Sequence, residues 1–424
     1  MTGIALNRRS ALAGIGAAGL AACSASPGGK MAFTTKGVAD LAATLKGHVD
    51  SGFTPGLVAL ADRAGETHAF TDGKATLGAA QPIARDTLFR IASMTKLLTA
   101  VAVMMLVEEG RVRLDEPVDR LIPELANRRV LKRLDGPIDD TVPADRPITV
   151  EDLLTFRLGW GISFDPDLPI VKAITALNLV GFGMPDPENP LTPDQWIARL
   201  ATLPLMAQPG EQWLYTTGSD VQGVLVQRAS GKPLDVFIRE RITGPLGMKD
   251  TDFSVPPEKL ARLCTAYMPD NGKLTVFDDP AHSRYAHAPA FPAGDSGLVS
   301  TADDLLIFGR MLLADGRHGD KQLLSAASVK AMTTNHLTAA QMKGGAPILS
   351  AGHGWGYGMS VVTAPGDGLE PGAFGWSGGF GTSLYMDKAK ALTLILLTPR
   401  VFDGPDPPAL HKDFWAGAYR AVAS

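Results

Sequence analysis

The chain has 424 residues, 45% of them hydrophobic and 20% charged, with 46 Gly, 31 Pro and 2 Cys. That apolar share supplies a sizeable core and excludes disordered, collagen-like and coiled-coil chains, while two cysteines exclude a disulfide framework and a structural zinc site. A formal net charge of −4 leaves no basic stripe to displace counterions, so no nucleic-acid partner is expected. None of the 8 His shows ligand spacing, and neither a metal nor another cofactor is expected.

Arg8-Arg9 precedes an uncharged run from Ala11 to Ala22, the pattern of a secretory signal and too short to span a bilayer. The arginine pair resembles a twin-arginine export signal. Leu20-Ala21-Ala22-Cys23 resembles a bacterial lipobox, with Cys23 as the lipidated first residue of the mature chain. This predicts a periplasmic lipoprotein whose only membrane contact is the anchor at Cys23; an ordinary signal cut near Ala25 would leave Cys23 incidental. Gly14-Ile15-Gly16-Ala17-Ala18-Gly19 spells G-x-G-x-x-G, but no strand precedes it, so it is signal composition and not a dinucleotide site.

Beyond a tether over residues 23–33, apolar spacing predicts a helix over Thr35–Val49, then a hairpin from Leu57–Ala61 and Thr67–Thr71 around Gly65. Ser93–Glu109 reads as a helix ended by Gly110, with Leu97, Leu98, Val101, Met105 and Leu106 as its apolar stripe. Helical patterns broken by Pro and Gly follow, among them Val150–Thr155, Thr192–Leu200 and Ser219–Ala229. Ser300 is placed to cap a helix over Ala302–Leu313. Gly356–Val362, Ala373–Ser377, Thr382–Met386 and Ala391–Leu397 read as strands, the last two a meander turning at Asp387-Lys388, and Asp413–Val422 closes as a helix. The expected architecture is α/β (α+β): residues 34–118 and 284–424 build a central antiparallel sheet flanked by helices, and residues 119–283 insert an all-helical part.

Three serines are candidate nucleophiles. Ser93, in Ser93-Met94-Thr95-Lys96, shares a helix face with Lys96, because positions three apart are neighbours there. The first helical turn offers backbone N–H groups to a developing negative charge, and the lysine supplies the cation or amine that activates an alcohol. Read blandly, the pair is an N-cap with a solvated lysine. Ser377 in Gly375-Trp376-Ser377-Gly378-Gly379 spells G-x-S-x-G, with Asp403 or Asp406 and then His411 downstream. A nucleophile elbow needs a helix after the serine, whereas strands follow here. Ser296, in Gly294-Asp295-Ser296-Gly297, lacks the upstream β-barrels that such a motif accompanies in chymotrypsin-like proteases.

Two further segments favour Ser93. Pro209-Gly210-Glu211-Gln212-Trp213-Leu214-Tyr215 sets a tyrosine just ahead of a helix, and beside Lys96 it would take the Ser93 proton. The glycine-rich segment Phe374–Gly379 offers a backbone N–H, that of Gly379, to join the N–H of Ser93 as an oxyanion hole. With these motifs the chain resembles the serine β-lactamase and penicillin-binding-protein superfamily over nearly all of residues 35–424, and within it class C β-lactamases and family VIII carboxylesterases. The same resemblance runs through Pro245-Leu246-Gly247-Met248-Lys249-Asp250-Thr251, Gly297–Asp304 and Gly354-Trp355-Gly356-Tyr357-Gly358. It implies a two-part β-lactamase/transpeptidase-like fold.

The departures from that pattern are informative. Where class C enzymes have Tyr-x-Asn this chain has Tyr215-Thr216-Thr217, and where they have Lys-Thr-Gly it has Trp376-Ser377-Gly378. An indole cannot replace the lysine charge that binds a β-lactam carboxylate. A class A assignment fails because Glu151-Asp152-Leu153-Leu154 precedes Ser219-Asp220-Val221, the reverse of that family's order. The resemblance therefore implies a serine carboxylesterase: Ser93, Lys96 and Tyr215 catalytic, Ser93 and Gly379 at the oxyanion, and Trp376, Ser377, Gly378 and Thr217 against a small-molecule ester. The alternatives are a β-lactamase or D,D-peptidase, and a non-catalytic envelope lipoprotein.

Overall fold

The computed structural model describes residues 32–422 except 180, 182 and 183. The segment expected to be an export signal, the G-x-G-x-x-G run and Cys23 lie outside the described residues. The elements that position the site are helix α1 (Thr35–Asp50), strands β1 (Gly56–Arg63) and β2 (Glu66–Gly73), helices α2 (Thr95–Glu108), α3 (Thr217–Ser230) and α4 (Ala302–Leu313), strands β3 (His353–Trp355), β4 (Ser360–Val362), β5 (Phe374–Gly378), β6 (Thr382–Asp387) and β7 (Leu392–Leu397), and helix α5 (Ala409–Ala421).

One antiparallel sheet in the order β3-β4-β5-β6-β7-β1-β2 joins the two ends of the chain. β1 pairs with β7 in the register Val58↔Leu397 to Arg63↔Leu392. Its side chains alternate between two cores: Leu57, Ala59 and Ala61 face the core shared with α1 and α5, while Val58 and Leu60 face the core that contains α2 and α4. A slip of one residue would exchange the two sets, so the register is firmly specified. Each Leu or Val buried this way contributes about 1.5–3 kcal/mol. Thr34 caps α1 by accepting from the Gly37 N–H, and α4 lies so close to the sheet that a Cβ on Gly309 would stand 2.8 Å from Thr393 Cγ2.

Several local expectations are corrected. The stripe expected on α2 does not exist, because every residue from Thr95 to Leu106 is buried; a helix apolar all round belongs inside the protein. Its predicted first turn is a separate 3-10 turn, Ala92–Met94. Thr301, not Ser300, caps α4, accepting from the Asp304 N–H; Ser300 is still paired with Phe89 in a short ladder, and its hydroxyl meets Thr251 Oγ1 at 2.7 Å. Gly356–Met359 is a turn with Gly358 at φ +76°, and the strand missed ahead of it is β3. The stretch expected to be all-helical also holds two hairpins, Arg129–Leu131 with Thr141–Pro143 and Ala266–Asp270 with Lys273–Asp278. Phe33, expected in the tether, is bridged to Val422.

Candidate active site

The Ser93 turn lies between the Phe89–Arg90 strand and α2. Ala92 takes φ +42°, a conformation costly for a residue with a Cβ, and so lifts Ser93 out of the helix proper. The end of β5 is pressed against this turn: a Cβ on Gly378 would stand 2.2 Å from the Ile91 carbonyl oxygen, so only glycine fits. Thr382 Oγ1 donates to the same carbonyl at 3.2 Å. β4 pairs with β5 only at Gly375 and Phe374, leaving Trp376–Gly378 without a strand partner on that side.

One turn after Ser93, the Lys96 ammonium donates to Ser93 Oγ at 3.1 Å and to the Asp295 carbonyl oxygen at 2.8 Å, with its side chain 0% exposed. It also lies 4.6 Å from the centre of the Tyr215 ring. Phe156, Trp213, Trp355 and Trp376 surround that ring, with centroids 5.6–6.4 Å away, and Trp376 Nε1 donates to Tyr215 Oη at 2.7 Å. The chain then enters α3 through Thr216, held at φ +85° while its hydroxyl donates to Asp295 Oδ2 at 2.8 Å.

Asp295 therefore ties the Lys96 turn to the Tyr215 loop. Its N–H donates to Asp220 Oδ1 at 3.2 Å, and the Ser296 hydroxyl donates to its Oδ1 at 2.5 Å. Asp220 is wholly buried; burial, and then the neighbouring Asp295, raise its carboxyl well above the usual range. A Cβ on Gly181 would sit 2.0 Å from Asp220 Oδ2, so this loop closes over the carboxyl with no room for a side chain. The Gly-Asp-Ser-Gly motif is thus structural, and Ser296 is a donor to Asp295.

Ser93, Tyr215, Trp376, Ser377 and Gly379 line one cavity of about 670 Å³. Lys96 stands behind its wall, bonded to Ser93. Two residues expected against substrate do not line it. Thr217, the first residue of α3, is 0% exposed with its hydroxyl shielded, and Gly378 is covered by Ile91 and Thr382. Ile162, Phe164, Ile348 and Phe402 complete the apolar wall; they come from loops with no motif, so the sequence offered no signal for them. The alternative set around Ser377 does not assemble. Asp403 pairs with Arg400 at 2.6 Å, Asp406 accepts from Ser350 at 3.2 Å, and His411 is packed against Phe402 and Trp415. Among the described residues no group of three or more His, Cys, Asp or Glu could hold a metal ion, and no helix is long and apolar enough to cross a membrane.

Residues 41–413 match the family described as Beta-lactamase. The chain belongs to that family. It is 41% identical over 336 residues to Protein Rv1367c of Mycobacterium tuberculosis, covering 77% of this chain and 80% of that protein. It is 30% identical over 375 residues to esterase EstB of Burkholderia gladioli, covering 83% and 88%. Among solved structures, EstCE1, described as a hydrolase with promiscuous acyltransferase activity, superposes with a TM-score of 0.76 at 24% identity over 91% of this chain and 99% of that one, a likeness of fold. The protein is a β-lactamase-related serine hydrolase with the β-lactamase/transpeptidase-like fold.

Proposed function

We propose that this hydrolase cleaves neutral carboxylic esters through an acyl-enzyme on Ser93. The observation that carries the reading is the lining of the cavity: Ser93, Tyr215 and Gly379 share it with Ile162, Phe164, Ile348 and Phe402, and no Lys or Arg is among its lining residues. A β-lactam or a peptidoglycan stem presents a carboxylate and needs a cation there; Trp376 occupies the position and gives its N–H to Tyr215 instead.

In this mechanism the substrate carbonyl points its oxygen at the N–H groups of Ser93 and Gly379. The Ser93 proton passes to Tyr215, whose oxygen acts as a phenolate beside the Lys96 ammonium, as Oγ bonds to the carbonyl carbon, and the ammonium stays hydrogen-bonded to Oγ. Collapse breaks the bond to the alcohol, which leaves with the proton from Tyr215. Water then repeats the sequence from the same base and releases the acid and Ser93. Asp295 acts as a positioning residue, holding Lys96 and the strained Thr216 turn in one register.

The test is a panel of p-nitrophenyl esters, nitrocefin and penicillin run on wild type, Ser93→Ala and Ser377→Ala. Ester turnover that disappears only with Ser93 is expected, whereas efficient nitrocefin hydrolysis would overturn the argument from the cavity lining. We further propose export and lipid anchoring at Cys23, for which mass spectrometry of the membrane-extracted N-terminus should find a diacylglyceryl-modified Cys23; an unmodified N-terminus beyond it rejects the anchor.

A further inference from the structure

The cavity that Ser93 lines also carries polar residues that the proposed mechanism does not use. Along β5 and β6, Trp376 and Leu384 face the core that holds α2, whereas Tyr385 faces the opposite core, the side Ser377 also takes by alternation. Ser377 and Tyr385 nevertheless line the same cavity as Trp376, because it wraps the unpaired side of β5. His353 and Asp367 line it with them. His353 is 4% exposed, with Nδ1 2.7 Å from Ser360 Oγ and Nε2 3.0 Å from Asp367 Oδ2. Burial alone would raise the Asp367 carboxyl, but the hydrogen bond and charge of His353 outweigh it and hold it below the usual carboxylate range. Ser377 Oγ, next to the Tyr385 hydroxyl, is shielded and makes no hydrogen bond of ordinary geometry.

We propose that His353, Asp367, Ser377 and Tyr385 form a specificity subsite for a hydroxyl group carried by the ester several atoms from its carbonyl, an assignment that rests on Ser93 being the nucleophile. The chemistry of the four groups selects that ligand. A carboxylate would face the Asp367 charge. An ammonium would find that charge already paired with His353. An alkyl end would take solvent from the Asp367 carboxylate and the Tyr385 hydroxyl and offer neither a polar contact in its place, the costly arrangement. A hydroxyl donates to the carboxylate while accepting from the Tyr385 hydroxyl, beside which Ser377 Oγ stands as a positioning group. Ile162, Phe164 and Phe402 line the same cavity and offer an apolar surface to the chain of such an ester.

The experiment measures kcat/KM on the full chain for two matched pairs. p-Nitrophenyl hexanoate against p-nitrophenyl 6-hydroxyhexanoate puts the hydroxyl on the acyl side; hexyl acetate against 6-hydroxyhexyl acetate puts it on the alcohol side. In one pair the hydroxylated ester is expected to be preferred about tenfold or more, as one hydrogen bond to a charged group gives. Asp367→Asn and Ser377→Ala should each cut that preference below about threefold. Ser377→Ala leaves the ion pair with His353 untouched, so it decides the matter if Asp367→Asn does not fold. Equal rates within twofold in both pairs, a preference that survives in the folded variants, or a preference for the ω-carboxylated ester would each overturn the subsite. Turnover of the hexanoate by Ser93→Ala would defeat the nucleophile assignment instead, so the two failures are separable.

Discussion

The two faces of the central sheet are built on opposite principles. Toward α1 and α5 the sheet buries Leu57, Ala59, Leu392, Leu394 and Leu396 against Leu41, Leu45 and Phe414, in a core made mostly of aliphatic and aromatic side chains, with a helix end capped by an ordinary threonine. At the end of the other face, around Ser93, the protein buries an ammonium and two carboxyl groups, and it holds Ala92 and Thr216 at positive φ. The first face is optimised for stability. The second carries strain and desolvated charge that only surrounding structure can impose, and such departures mark where a fold serves chemistry.

If that contrast is correct, mutations on the two faces should separate activity from stability. The largest effect is expected from Tyr215→Phe, which removes the oxygen proposed to carry the proton: kcat/KM for p-nitrophenyl butyrate should fall by about 10³, within the range for general-base loss, with the far-ultraviolet spectrum and melting temperature retained. Leu41→Ala, on the opposite face, should do the reverse. A cavity between α1 and the sheet costs about 2–5 kcal/mol in urea unfolding, while kcat/KM at 25 °C should remain within twofold; a matching loss of activity would erase the distinction between the faces.

Asp295→Asn sharpens the comparison from inside the site. It keeps the backbone carbonyl that accepts from Lys96 and the N–H that meets Asp220, but takes away the carboxylate that holds Thr216 and lies 3.8 Å from Lys96 Nζ. We expect kcat to fall by about 10–100-fold, the scale of a charged hydrogen bond at about 1.5–3 kcal/mol, with KM changed less than twofold. A rise in KM with kcat intact would instead make Asp295 a substrate-binding group.

The smallest effect concerns the apolar side of the cavity wall. Burial pushes the His411 imidazole down to about 3 from 6.5. The unfolded chain takes up a proton there near pH 6.5 and the folded chain does not until about 3, so its contribution to stability is complete above pH 6.5 and drains as the pH falls toward 3. Between pH 7 and pH 5 this amounts to on the order of 2 kcal/mol, and urea titrations of wild type and His411→Leu should show that slope only in wild type.

What could be read from the sequence follows the same division. The hairpin at residues 56–73, the strands near the C-terminus and the helix from Thr35 announce themselves through local periodicity. The contact between Ser93 and Lys96 was legible because i, i+3 spacing is itself a geometric statement, and the place of Tyr215 beside them through its setting before α3. Asp220 and Asp295 escaped because their meaning comes from each other and from Lys96, contacts that span 75 to 199 residues of sequence. His353 and Asp367 escaped for the same reason. Thr217 was misplaced because the positive φ of Thr216 turns the chain, which no pattern of residue types reports. The stripe assigned to α2 failed because an amphipathic template was applied to a helix with no exposed side over its first twelve residues, Thr95 to Leu106.

The bridge between Phe33 and Val422, with the Thr34 N–H donating to the Ala421 carbonyl at 2.8 Å, makes the two extremities of the described chain each other's neighbours. Neither margin can be trimmed in isolation, since shortening α5 strips the acceptor from the start of α1 and vice versa. In mechanical terms the outer layer is a clasp whose halves flank every cavity-lining segment in the chain, so it can fasten only after all of those segments have left the ribosome.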